Sequence, residues 1–295
     1  MAQDVIAIIC DCDGTLCPDT TNRLVADLGV DTREFWNQEV TPLVKAGWDP
    51  PLAYLSKLLA VSQNRLKNGF IEPLTRSKLQ EVGRSVVFYP GVPDFVQRLR
   101  DRMAQNPEIV EAGVTIEWYV VSSGIEEVIR SSALGELATD IFGCSFDFDQ
   151  AGTAVAVKRT VTFTEKTKFI FAINKGISGD SLRRDPYRVN DTMDPIDRRV
   201  PFENMVYIGD GPSDIPCFSM IKRFDGHAIG VWPPEDIDLR RPYELSEGQR
   251  LTMGPYAADY RDGSDLFKLL STIVAGIAGS ILEKREQRVR PAPGF

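Results

Sequence analysis

Two aspartates one residue apart, Asp11 and Asp13, close an apolar run in IAIICDCDGTLCP, residues 6–18. Side chains on a strand alternate faces, so both carboxylates point one way while Cys10 and Cys12 point the other. Like charges held this close repel, and the arrangement is tolerable with a cation between them or a proton on one. A plain strand end leading into an Asp-rich turn uses the same residue types, so the rest of the chain decides. Two further apolar runs end on polar groups: VVSSG on Ser122 and Ser123, and YIGDGPSD on Asp210 and Asp214. FTEKTK adds Lys166 where a helical pattern begins. Carboxylate oxygens from two strands form a magnesium site, because Mg²⁺ takes hard oxygen ligands in octahedral geometry. A serine hydroxyl, turn N–H groups at a helix start and one lysine suit the remaining oxygens of a phosphate.

The elements that position these groups follow from periodicity. VTIEWYVVSSG and NMVYIGDG read as buried strands; FGCSFDFD is strand-like, and QAGTA is a turn before VAVKRTVTF. YPGVPDFVQRLRDRM, IEEVIRSSAL and TEKTKFIFAINKG are helical between them. Strands alternating with helices predict an α/β fold with a doubly wound parallel sheet, and such sheets bind ligands at the carboxyl ends of their strands. TTNRLVADLG, DTREFWNQEVTPLVKAG and DPPLAYLSKLLAVSQNRLKNG place apolar residues at three- and four-residue spacing, with Asp49 and Pro50 as cap and first turn. The expected organisation is a catalytic core of residues 1–16 and 86–262, a small all-helical domain of 17–85 inserted after the first strand, and a C-terminal helix and tail of 263–295. Hinges are expected near Cys17–Pro18 and Phe88–Gly91. Residues 177–201 are polar and proline-bearing, a surface excursion. In the last helix Leu266, Leu270, Ile273, Ile277 and Ile281 share a face that packs on the core or on a second copy of the chain. Its apolar run, interrupted by Lys268, Ser271 and Thr272, reads as short of a membrane span.

The 295 residues are 43% hydrophobic and carry a net charge of −8, enough for one large core and a field that opposes a nucleic-acid partner. An anionic substrate then needs a locally positive site. Five cysteines, odd in number and set in or beside apolar runs, suit a reducing cytoplasm. Cys10, Cys12 and Cys17 crowd together, but no second cluster completes four zinc ligands. His227 is the single histidine; without a G-x-S-x-G elbow it reads as structural, at the start of the strand-like run HAIGVW.

DCDGT, VVSSG, EKTK and GDGPSD, in this order, resemble the four motifs of the haloacid dehalogenase (HAD) superfamily of phosphatases. The resemblance covers the whole core, and the helical insertion resembles the family's all-α cap. It implies a Mg²⁺-dependent hydrolase of small phosphate monoesters working through an aspartyl-phosphate. Asp11 would be the nucleophile and Asp13 the general acid and base. Ser122 would bind the phosphoryl group, with Ser123 beside it, and Lys166, rather than Lys168, would neutralise charge. Asp210 would bind the metal with Asp11 and the backbone carbonyl of Asp13, and Asp214 would complete the acidic cluster. Superfamily members that cleave carbon–halogen or phosphonate bonds lack the second aspartate, so Asp13 favours esters. Phosphoserine phosphatases carry a glutamate shortly after the first motif; Thr20 stands at that offset, beside Asp19, which counts against phosphoserine. Asp19, Thr20, Trp36, Trp48, Tyr54 and Arg65 are candidate substrate contacts from the cap. The competing readings are a phosphotransferase, in which an alcohol replaces water, and a binding or regulatory module on a retained fold.

Overall fold

The structure, a computed structural model, describes residues 3–67, 73–234, 244 and 250–289. Seven strands form one sheet: β1 (Val5–Cys10), β2 (Thr115–Ile125), β3 (Asp140–Phe148), β4 (Ala154–Arg159), β5 (Met205–Gly209), β6 (His227–Trp232) and β7 (Met253–Ala257). Their spatial order is β4-β3-β2-β1-β5-β6-β7, with β1 flanked by β2 and β5. All neighbours are parallel except β3 and β4. That pair is antiparallel because the short QAGTA turn cannot make the long crossover that parallel strands need. β7 carries no alternation and was not foreseen.

The unbroken apolar run of β1 follows from its central place, since a parallel strand covered on both faces is buried throughout. Ala7 and Ile9 enter the layer that holds Phe169, Ile170 and Phe218, while Ile6, Ile8 and Cys10 enter the opposite layer with Phe95, Leu99 and Leu270. Alternation carried one step further puts Asp11 on the side of the helix Glu165–Lys175.

The insertion is helical, as expected. Asp19, Asp49 and Thr75 cap its helices by accepting from the N–H of Asn22, Leu52 and Lys78. A π turn over Phe35–Val40, invisible to 3.6-residue periodicity, sits between Thr32–Glu34 and Thr41–Lys45. The last helix of the insertion, Arg76–Arg84, packs on the core helix Glu126–Ser131. Arg76 N–H donates to the Gly152 carbonyl and Ala154 N–H to the Leu74 carbonyl, tying this end to the β3–β4 hairpin. A hinge at Phe88–Gly91 would have to tear that packed helix from the core.

Residues 177–201 form the short helix Gly179–Arg184 and two 3₁₀ turns, mostly exposed. The helix Asp265–Val289 buries Leu266, Leu270, Ile273, Ile277 and Ile281 with the second core layer. By length and composition alone it is apolar enough to cross a membrane, an 18-residue window within Asp265–Gln287 reaching mean hydropathy 1.6, while the five residues of its shared face are buried against the core.

Candidate active site

Asp11 stands just beyond β1, its N–H donating to the Ile208 carbonyl of β5 at 2.9 Å. Its Oδ1 accepts the Cys12 N–H at 2.7 Å and its Oδ2 accepts Lys166 Nζ at 2.7 Å. Lys166, in the first turn of Glu165–Lys175, is 0% exposed and bridges to Asp214 Oδ1, also at 2.7 Å, with Ser213 Oγ at 3.2 Å. Lys168 pairs with Glu165 instead. Asp214 is equally buried and accepts four donors: Lys166, the Tyr207 hydroxyl at 2.7 Å, and the N–H groups of Asp210 and Gly211 at 3.2 Å. With its oxygens so engaged, Asp214 holds the lysine and shapes the loop that carries Asp210.

Oxygens of Asp11, Asp210 and Asp214 lie within 4.8 Å of one another. The Asp13 carboxylate is outside this group, which leaves its backbone carbonyl for the ligand role implied by the resemblance. Asp210 Oδ1 accepts from Thr15 Oγ1 at 3.3 Å. Gly14 lies in the left-handed region at φ +76°, and a Cβ there would stand 2.4 Å from Asp210 Oδ2, so the turn admits only glycine against that carboxylate. The C-terminal region braces the same turn, the buried Tyr260 hydroxyl donating to the Thr15 carbonyl at 2.9 Å. Cys12 and Cys17 sit behind the turn with their sulfurs 3.7 Å apart. Their contact and burial push the Cys12 thiol well above its ordinary pKa.

Desolvation raises Asp11 to about 6, outweighing the downward pull of Lys166. Asp13 is pushed up to about 8, first by desolvation and then by the charge of Asp19, while its Oδ1 accepts the Thr20 N–H at 2.7 Å. Burial works against the Lys166 ammonium, but Asp11 and Asp214 more than compensate and hold it above its ordinary value. The site therefore sets a buried cation between two carboxylates, with a proton-holding carboxyl two residues on from Asp11.

A cleft of about 620 Å³ opens over this floor, lined from below by Asp11, Asp13, Ser122, Ser123 and Asp210. Ser122 Oγ accepts the Gly124 N–H at 3.0 Å; Ser123 Oγ is buried and has no partner among the described residues. A buried hydroxyl without a partner is costly unless a ligand takes it up. From the cap, Asp19, Asn22, Trp36 and Tyr54 line the opening, with Tyr89 and Phe163 from the core. Trp36 Nε1 donates to Asn22 Oδ1 at 2.5 Å and its ring lies 5.9 Å from that of Tyr54. Trp48, 43% exposed, is not among the lining residues, Thr20 contributes its N–H to Asp13, and the side chain of Arg65 lies outside the described residues. Tyr207 is a participant that sequence reading missed. The available signal was a tyrosine inside a buried strand, whose hydroxyl must find a partner at the strand end.

No family model matches the chain. An uncharacterized protein of Borreliella burgdorferi is 27% identical over 291 residues, covering 90% of this chain and 95% of that one. Among solved structures, a HAD family hydrolase from Salmonella enterica serovar Typhi matches with TM-score 0.50 and 12% identity over 77% of this chain, which spans 62% of that protein. A phosphoserine phosphatase captured as a phospho-aspartyl intermediate analogue gives TM-score 0.53 at 14% identity, over 91% of this chain and 99% of its own. A phosphoserine phosphohydrolase-like protein from Francisella tularensis gives 0.50 at 15% identity, over 91% and 99%. The chain has the fold of HAD-family hydrolases, in the form seen in phosphoserine phosphatases.

Proposed function

We propose that this chain is a magnesium-dependent phosphatase that hydrolyses a small phosphate monoester through an aspartyl-phosphate on Asp11. The observation that carries the reading is the buried Lys166, shared at 2.7 Å between Asp11 and Asp214, beside Asp13 with its raised pKa. Phosphoryl transfer depends mainly on in-line placement and charge neutralisation, which a lysine fixed on both sides provides without reorganising. The phosphoryl oxygens bind Ser122 Oγ and neighbouring N–H groups. An Asp11 oxygen attacks phosphorus, the bond to the ester oxygen breaks, and Asp13 gives that oxygen its proton. Water then attacks the phosphorus, Asp13 takes up the water's proton, and the bond to Asp11 breaks to release orthophosphate.

The donor set fits magnesium: carboxylate oxygens of Asp11 and Asp210 and the Asp13 carbonyl are hard ligands, and the acid cluster exceeds the charge of one lysine. The ion would supply charge neutralisation at the phosphoryl group. The phospho-aspartyl analogue in a protein of the same fold supports Asp11 as the acceptor. Five free, buried cysteines agree with a cytoplasmic setting. Turnover of an aryl phosphate with Mg²⁺ tests the reading: activity should vanish in chelator and return with Mg²⁺, and full activity in chelator contradicts it.

A further inference from the structure

Hydrogen bonds run from the cap to the floor of the cleft. One is Thr20 N–H to Asp13 Oδ1; another is the Tyr54 hydroxyl, from the helix Pro50–Lys67, to the backbone carbonyl of Ser123 at 2.6 Å. Ser123 lies where β2 is irregular, its pairing with β3 shifting between Val121 and Ile125. A bulge of this kind leaves peptides outside the ladder, and their polar groups need other partners. The Ser123 carbonyl accepts from Tyr54 and from Cys144 Sγ at 3.2 Å.

The Ser123–Gly124 peptide is trans and planar, so its carbonyl and its N–H point in opposite directions. Fixing the carbonyl therefore fixes the Gly124 N–H, which is turned onto Ser122 Oγ. The same residue presses on the proposed acid: a Cβ on Gly124 would stand 2.5 Å from Asp13 Oδ2. Ser122, Ser123 and Gly124 all line the cleft. The buried phenol could have met its need for a partner on its own helix or in water; it takes instead a carbonyl of the loop assigned to phosphate binding.

We infer that Tyr54 is a positioning residue: its hydroxyl on the Ser123 carbonyl fixes the peptide that turns the Gly124 N–H onto Ser122 Oγ, which orients that serine hydroxyl toward the phosphoryl group and backs Asp13. The inference rests on the phosphatase reading and adds to it a route by which the cap acts on the floor through the backbone of Ser123.

Tyr54→Phe keeps the ring and removes the bond. The loss of one net hydrogen bond corresponds to about a three- to tenfold change in the equilibrium it biases. For this variant kcat/KM on an aryl phosphate falls by that factor, the inhibition constant of orthophosphate rises by the same factor, and the Gly124 amide exchanges faster by nuclear magnetic resonance. A lower rate that follows lost folded stability, with orthophosphate inhibition unchanged, overturns the inference, as does Gly124 exchange equal to wild type. Wild-type protein inert toward aryl phosphate with Mg²⁺ ends the phosphatase reading, while the exchange comparison still decides whether Tyr54 fixes the peptide.

Discussion

The floor and the roof of the cleft are built on opposite terms. On the floor, Asp11, Lys166 and Asp214 are buried, the lysine bridging the two carboxylates, which also accept from Tyr207 and three backbone N–H groups. In the roof, Asn22 and Trp36 are only partly buried and meet through a single hydrogen bond. Removing either Lys166 or one of its two carboxylates leaves a buried charge on the floor without its partner. The roof can change residue by residue, which suits the part of a phosphatase that meets the variable alcohol of its substrate.

Lys166→Met should break the floor most severely. It leaves Asp11 and Asp214 buried without their shared cation, an arrangement that costs about 3–5 kcal/mol. Activity should fall below detection and the urea midpoint should drop; a variant with measurable turnover and unchanged midpoint would show that the lysine is not the keystone of the pair. Tyr207→Phe should be milder, removing one donor to Asp214, with about 1–3 kcal/mol lost in stability because a buried carboxylate loses a partner. The comparison to make is its kcat against its KM for an aryl phosphate. The loss is expected in kcat, because Tyr207 does not line the cleft and bonds Asp214, which holds Lys166 against Asp11.

How much of this was readable in sequence divides along the same line. Asp11, Asp13, Ser122, Lys166, Asp210 and Asp214 each follow an apolar run or open a helix, and strand alternation with the carboxyl-end rule brings them to one place. Tyr207 escaped because NMVYIGDG shows only that a buried tyrosine hydroxyl needs a partner, not which residue supplies it. Asn22 was no more visible, since helical spacing marks the buried face of a cap helix and says nothing of what lies opposite its rim; Tyr54 was expected as a cap contact, but not its bond to the Ser123 carbonyl. The π turn at Phe35–Val40, which sets the place of Trp36, breaks the very period used to read it. β7 lies directly after residues 235–249 and has neither length nor alternation to announce it.

The roof should yield smaller and more selective effects. Trp36→Ala should change the ratio of rates among alkyl phosphates by several-fold and leave an aryl phosphate within about threefold, because an aromatic pair such as Trp36 and Tyr54 contributes about 0.5–1.5 kcal/mol beyond its area. Equal losses on every substrate would assign Trp36 to the floor instead.

A separate effect is on stability against pH in chelator. The folded state holds protons on Asp13 up to about 8 and on Asp11 up to about 6, above the ordinary aspartate value of 3.8. A raised carboxyl pKa means that the native state binds the extra protons, so stability is highest at low pH and falls as pH rises from about 4 toward 8. Asp13→Asn should flatten the upper half of that slope in urea titrations. An identical slope in the variant would place the titration elsewhere.

The most direct test of the central claim separates the two aspartates by rapid mixing. Asp13→Asn keeps the nucleophile and loses the acid and base, and a good aryl leaving group needs little protonation. It should release a burst of about one equivalent of aryl alcohol per site, followed by turnover slowed about a hundredfold or more. After acid quench, intact mass and peptide mapping should find the phosphate on Asp11, and Asp11→Asn should form no phosphoenzyme. Phosphate on Ser122 or Ser123, or steady turnover by Asp11→Asn, would contradict the account.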